Sequence, residues 1–323
     1  MRRLILKAGA AAALALCTLT VAQAGDFPSK PLRLVVGFAP GGATDIVARL
    51  LAPEVARTLG QQVIVENKPG ANGNIANEIV AAAEPDGYTL MLGTPGSLVL
   101  NPFLYKKVPV DPAKAFAPIS QLTESPLVVV VPASSPARTL PELMALAKTR
   151  DGLNYGSAGN GSTMHVAGAT LQMLTGAKMT HIPYKGSAPA ITDLLAGVLD
   201  LMVDSRSTTK PLIDDARLRP LAVTSTRRVA DLPQVPTVNE ALGIPYDVTS
   251  WLGLVAPAGT SPEVIATLHR AFAEALKAPA VVKRFDALGT HPLGTSPQEF
   301  ARALDARRVE AKALVQRAGL SID

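Results

Sequence analysis

Short apolar runs alternate with amphipathic stretches from residue 32 to the end of the chain. Leu32-Arg33-Leu34-Val35-Val36 predicts a buried strand. Ala43 to Leu59 follows with helical spacing that puts Ile46, Leu50 and Leu51 on one side. Val63-Ile64-Val65 predicts a second strand, residues 74–83 a helix, and Thr89-Leu90-Met91-Leu92 a third strand. A second series starts at Leu127–Val131. It continues through helices over 140–147 and 164–174, a strand over 178–182, a helix over 188–195, and strands over 199–203 and 221–224. Ser250 to Val255 predicts one more strand, before helices over 262–277 and 297–318. Nearly continuous apolar strands separated by helices indicate α/β architecture, with mostly parallel sheets flanked by helices on both faces. Pro112, Pro118, Pro126, Pro233 and Pro236 punctuate these elements.

Two series with a late return predict two lobes joined by two crossings, near Ser125 and near Asp247. Lobe 1 is then residues 25–125 plus 247–323, and lobe 2 is residues 126–246. The length of 323 residues agrees with two lobes, being about twice that of one typical domain.

The first residues change the picture of where the protein works. Arg2, Arg3 and Lys7 precede an apolar run from Ala8 to Val21, and Ala22-Gln23-Ala24 supplies a small-x-small cleavage signature. The run is shorter than the ~20 residues of a spanning helix. Residues 1–24 are therefore read as an export signal cleaved before Gly25, and the mature chain as periplasmic and not itself membrane-spanning. Leu16 before Cys17 is too bulky for a lipoprotein signal. The Arg2-Arg3 pair leaves general and twin-arginine export both open. Without the leader the chain carries 28 basic side chains against 26 acidic ones, so nothing points to a nucleic-acid partner. The only cysteine, Cys17, leaves with the leader. No disulfide and no thiolate chemistry is then expected.

Three glycine-rich loops follow predicted strands, where open α/β sheets place their ligands. The first is Gly37-Phe38-Ala39-Pro40-Gly41-Gly42-Ala43-Thr44-Asp45, leading straight into a helix. Its glycines allow close backbone approach to an anion, the helix start offers unpaired N–H donors, and Thr44 or Asp45 is placed to cap it. The second is Gly93-Thr94-Pro95-Gly96-Ser97. The third is Tyr155-Gly156-Ser157-Ala158-Gly159-Asn160-Gly161-Ser162-Thr163. Taken alone, the first is equally compatible with a plain turn, and the second reads more readily as one. If the first and third face each other across a cleft, they form a carboxylate cradle that needs no buried arginine.

Enzyme chemistry finds no support. Gly159-Asn160-Gly161 begins like a dinucleotide loop, but Met164 stands where the third glycine belongs, and no phosphate-binding lysine follows any of the loops. Tyr155 two residues before Ser157 rules out a nucleophile elbow. His165, His181, His269 and His291 show no metal-ligand spacing. His165 reads as a packing or supporting residue. No cofactor or metal is expected.

At these same residues the chain resembles the tripartite tricarboxylate transporter solute receptors, also called the Bug family. The matching stretches are Pro31–Val36 with Pro40–Asp45, Val65–Ala71, Pro85–Leu90, Tyr155–Ser162, His181–Gly186, Leu232–Thr237 and Trp251–Gly259. They span essentially the whole mature chain, in order. The resemblance implies a two-lobed, periplasmic-binding-protein-like (Venus flytrap) fold that closes as a monomer over a small organic acid: a di- or tricarboxylate, an amino acid or an aromatic acid. It implies one large and one small membrane subunit of a transporter as partners. A sensor that presents the same bound acid to a signalling partner is the alternative. It also assigns ligand contacts to the first loop (Phe38, Ala39, Gly41, Gly42, Ala43, Thr44 and Asp45), to Thr94 and Ser97, and to Ser157, Gly159, Asn160, Gly161, Ser162 and Thr163. Asp204, at the end of a predicted strand, is a further pocket candidate.

Two departures stand out. Gly37 and Ala39 occupy positions where the family usually has prolines. Ser205-Arg206-Ser207-Thr208-Thr209-Lys210 replaces a mostly uncharged segment. Arg206 then has two fates: it pairs with Asp204 or another acid and points outward, or its planar fork reads a second carboxylate on the ligand.

Overall fold

The computed structural model describes residues 27–318 together with 321 and 322. The export signal and its cleavage point lie outside the described residues. Strand β1 (Leu32–Val36), helix α1 (Ala43–Leu59), β2 (Val63–Asn67), α2 (Asn74–Ala81) and β3 (Thr89–Gly93) alternate as the apolar pattern requires. Two short helices, α3 (Asn101–Leu104) and α4 (Pro112–Ala115), lead into β4 (Phe116–Pro132). Then come α5 (Leu140–Thr149), β5 (Leu153–Ser157), α6 (Thr163–Thr175), β6 (Met179–Pro183), α7 (Ser187–Leu195), β7 (Leu201–Ser205), α8 (Arg206–Asp214) and β8 (Leu218–Val223). The chain closes with α9 (Val238–Leu242), β9 (Thr249–Pro257), α10 (Pro262–Lys277), α11 (Pro279–Ala287), β10 (His291–Pro292) and α12 (Pro297–Ala318).

The strand order is β2-β1-β3-β9-β4-β7-β5-β6, with β8 and β10 also on β4. β4 belongs to both halves of this arrangement. Its residues Phe116–Pro126 pair with β9, and Leu127–Pro132 pair with β7 and β8. The molecule is thus a two-domain α/β protein whose sheets meet along one long strand. Pairing is parallel among β1, β2 and β3 and among β5, β6 and β7, and antiparallel wherever β4 or β9 takes part. The sheets are mixed because β4, which pairs in both lobes, and β9 run antiparallel to their neighbours.

Pro118 and Pro126, taken from the sequence as breaks between elements, lie inside β4. Its register against β9 shifts between Pro118 and Ser120 and again between Gln121 and Thr123. Proline is tolerated in a strand at such irregularities and where one side is open, and only two-residue β10 covers the other edge here. Helix α8 was also missed. Its hydroxyl-rich start is a poor helix signal, since such side chains bond back to their own turn: the Thr208 and Thr209 hydroxyls both donate to the Ser205 carbonyl.

Each sheet is covered on both faces. β1, β3, α1 and α10 share one apolar core around Leu34, Leu51 and Phe272, while Met91, Trp251 and Phe300 pack on the opposite face. In the other lobe Val129, Tyr155 and Leu171 form one core and Val130, Leu194 and Met202 the second. Phe38 breaks this separation. It comes from the loop after β1 yet packs into the core of the second lobe with Tyr155 and Met164. Among the described residues no helix is long and apolar enough to cross a membrane.

Candidate functional site

The loops after β1, β3 and β5 converge on one cavity between the lobes, together with the starts of α7 and α8. Phe38, Gly42, Ala43, Thr44 and Thr94 line it from the first lobe. Ala158, Ser162, Thr163, Met164, Ser187 and Ser205 line it from the second, and Ser250 and Leu252 of β9 complete the wall. No lysine or arginine is among these residues. What replaces cationic side chains is backbone. Four helices, α1, α6, α7 and α8, begin at this cavity. Ser162 caps α6, accepting from the His165 N–H at 3.2 Å, but no side chain caps α1, α7 or α8. A helix start carries N–H groups without intrahelical partners and the positive end of its dipole, so three uncapped starts make one strongly anion-attracting wall.

The sequence expected Thr44 or Asp45 to cap α1. Instead Gly42 is its N-cap, and Asp45 turns back to accept from the Gly41 N–H at 2.9 Å. Arg49 and Asn67 also donate to Asp45, and Asn67 donates to the Phe38 carbonyl at 3.0 Å. Burial, the largest single influence, pushes the Asp45 carboxyl up, but the bonds from Arg49, Gly41 and Asn67 together hold it below the usual carboxylate range. Asp45 therefore clamps the first loop from behind. Gly41 needs its glycine, having φ +80°.

Other assigned residues also stand one layer back. Ser97 binds the Thr94 N–H at 3.0 Å. Ser157 is buried, and its hydroxyl accepts from the Gly159 N–H at 3.0 Å and lies 2.6 Å from His181 Nε2. The Gly161 N–H donates to His165 Nδ1 at 3.0 Å, so it is spent inside the loop. Gly159 and Asn160 line a second, outer cavity with Asn72, Tyr105 and Lys185. Ala39 faces the other lobe, its N–H donating to the Lys185 carbonyl at 3.0 Å.

Asp204 is fully buried beneath the cavity floor. It accepts from Ser187 Oγ at 2.8 Å and the Ser205 N–H at 2.7 Å, both from residues that line the cavity. Burial pushes its carboxyl up to about 6, against the opposing pull of bonds from Ser205, Ser187 and Thr208.

Arg206 meets the first fate in its partner, another acid, but not in pointing outward. Its side chain is 1% exposed and its guanidinium pairs with Asp231, not Asp204. Gly289 packs against the guanidinium, and His291 Nε2 lies 3.5 Å from its Nη1. Arg206 also borders a recess next to the cavity, beside Ser205 and Ser250.

Sequence reasoning missed Met164, Ser187, Ser205, Ser250 and Leu252. For Ser187 a signal was present: Lys185-Gly186-Ser187 follows a strand and opens a helix, as in the other loops. For Ser250 and Leu252 there was none, because only the return of β9 between the lobes brings them to the site.

The lobes are closed on one another. Besides Phe38 and the Ala39–Lys185 bond, the Tyr105 hydroxyl donates to the Asn160 carbonyl at 3.2 Å. Only about 30 Å³ remains at the centre, room for about one water.

A family model described as tripartite tricarboxylate transporter family receptor matches residues 47–320. A UPF0065 protein of Pseudomonas sp. strain P51, from the tcbD–tcbE intergenic region, is 38% identical over 302 residues, covering 93% of this chain and 89% of its own length. Two solved structures from Rhodopseudomonas palustris are similar throughout. Rpa4515 with adipate superposes with a TM-score of 0.88 at 35% identity, covering 92% of this chain and 99% of its own. MatC (Rpa3494) with bound malate gives 0.85 at 33% identity, covering 90% and 100%. Together with the two-lobed fold, these likenesses show that the chain belongs to the tripartite tricarboxylate transporter receptor family of periplasmic binding proteins and not to an enzyme family.

Proposed function

We propose that this protein captures a small carboxylate in the interlobe cavity and delivers it to a tripartite tricarboxylate transporter made of one large and one small membrane subunit. The convergence of three uncapped helix starts on a cavity without cationic side chains carries the proposal. Such a wall suits a group with one delocalised negative charge and several acceptor oxygens. In this reading Gly42, Ala43, Thr44, Thr94, Ser162 and Thr163 contact the ligand, with Ser187 and Ser250 added from the structure. Adipate and malate in two relatives support a carboxylate as the ligand class. Capture takes place in the periplasm, after removal of residues 1–24.

Thermal unfolding in the presence of mono-, di- and tricarboxylates, including adipate and malate, tests this. A bound acid at ~100 times its Kd contributes about 2.7 kcal/mol and raises the midpoint. A series in which no acid raises it, while amines or neutral sugars do, overturns the assignment.

A further inference from the structure

The carboxylate reading leaves Asp204 unexplained, since a buried acid beside an anion site works against the anion. Asp204 is 0% exposed, and Ser187 Oγ and the Ser205 N–H both donate to its Oδ1, at 2.8 and 2.7 Å. Its Oδ2 is served only by Thr208 Oγ1 at 3.2 Å, a hydroxyl that lies closer to the Ser205 carbonyl, at 2.8 Å. As long as Asp204 is ionised it is an acceptor only, so Ser187 must point its single O–H inward. The face that Ser187 Oγ then shows the cavity is a lone pair, which repels a carboxylate. A ligand oxygen at hydrogen-bond distance from Ser187 would bring two carboxylates within about 5 Å of each other in a dry site.

One proton removes both conflicts. We propose that Asp204 takes up a proton from solvent when the carboxylate binds, freeing the Ser187 hydroxyl to donate to the ligand. The proton adds to Oδ2 and is donated to Thr208 Oγ1, whose own hydrogen goes to the Ser205 carbonyl. Oδ1 keeps the Ser205 N–H. Ser187 Oγ–H leaves what is now the oxygen of a neutral acid and turns to the charged ligand, the stronger acceptor. Capture is then coupled to about one proton, and this inference rests on the carboxylate reading of the cavity.

Among the described residues no other group around Asp204 does this: on α6, which packs on β7, His165 accepts from the Gly161 N–H and burial pushes it down to about 4. On α8, Arg206 is committed to Asp231, with His291 beside it, and Lys210 to Asp214. On α7, Asp193 accepts from the Tyr184 hydroxyl, and Lys185 just before it is exposed. On α1, which packs on α8, Asp45 is held by Arg49. On β4, Glu124 lies four residues before Val128, the partner of Asp204 in the sheet, and pairs with Arg307. Burial has already pushed Asp204 up to about 6, so a nearby anion has little further to move it before it is protonated at neutral pH.

The test is calorimetric titration of the wild-type protein with an acid of the screening series, adipate first, at about pH 7 in two buffers of different ionisation enthalpy. The expected result is uptake of close to one proton per acid, with affinity weakening by up to tenfold per pH unit above about 6. Asp204→Asn should abolish the uptake and flatten the pH dependence. Should that variant not fold, a difference infrared spectrum of the wild type, bound minus free, reads the same event as a new protonated-carboxyl band. A bound acid with no proton uptake and no such band overturns the inference and leaves the carboxylate reading intact. If no acid binds at all, the reading of the cavity fails and this inference falls with it.

Discussion

The N–H of Gly161 donates to His165 Nδ1 at 3.0 Å, which places the imidazole proton on Nε2 and keeps the ring neutral. His165 stacks on His181 with ring centroids 3.8 Å apart, and His181 in turn meets Ser157. The third loop is therefore held by two neutral histidines. Burial pushes His165 down to about 4, and burial, then the repulsion a protonated His165 would exert, pushes His181 down to about 3.

Unfolded histidines titrate near about 6.5, so the unfolded chain takes up protons first as pH falls. The stability these two groups contribute is complete above about 6.5 and is lost progressively toward pH 4 and below. Asp204 acts in the opposite sense, losing stability as pH rises toward about 6, so the variant difference is the informative quantity. Urea midpoints of His165→Asn should fall less between about pH 6.5 and 4 than those of the wild type. Parallel curves would show that the histidine pair does not set the acid limit.

Gly42→Val should abolish acid binding while leaving the fold in place. A Cβ at Gly42 would lie 3.6 Å from the Ala39 carbonyl oxygen and 3.8 Å from the Ser187 nitrogen, ordinary contacts that the fold accommodates. The two further carbons of valine would stand before the helix starts where an anion must approach. Calorimetry should show no heat of binding with circular dichroism unchanged. Retained affinity would reduce this loop to a turn.

Asp45→Ala should weaken acid binding without Asp45 touching the ligand. It removes the acceptor of the Gly41 N–H and the partner of Arg49 and Asn67. The loss is expected at about 1–3 kcal/mol of stability, the scale of leaving buried donors unpaired. Urea unfolding measures the stability, and calorimetry should show the affinity falling for mono- and dicarboxylates alike. Binding that survives unchanged would mean the loop keeps its shape without the clamp.

Arg206→Ala should destabilise the protein by about 3 kcal/mol, because Asp231 is left without its counter-charge. Its effect on binding should be equal for a monocarboxylate and a dicarboxylate of similar size, since the guanidinium is occupied. A loss confined to the dicarboxylate would instead show that Arg206 reads the ligand's second carboxylate.

Closure should depend on ligand. Between the lobes Phe38, the Ala39–Lys185 and Tyr105–Asn160 bonds, the Arg206–His291 contact and the packing of α8 on α1 and α11 hold the closed form, in a two-domain protein that can hinge about β4. Small-angle scattering should give a smaller radius of gyration with a binding acid than without. Identical curves would argue that the lobes do not move.

The sequence by itself determined the α/β alternation, the two series of elements and the loops that matter. Period and punctuation are local properties: Leu32–Val36 is apolar throughout because both faces of its sheet are covered, and Gly41-Gly42 precedes a helix whatever the rest of the chain does. Tertiary structure decided which polar groups face the cavity and which stand behind it. Asp45, Ser157 and Asp204 are chemically suited to touch a ligand, yet each is satisfied by a neighbour brought from elsewhere: Asn67, His181 and Ser187. Only the folded chain fixes those partners, since a polar side chain's role depends on who takes its hydrogen bonds. For the same reason the sequence leaves Arg206 two fates, and only the fold pairs it with Asp231, twenty-five residues further on.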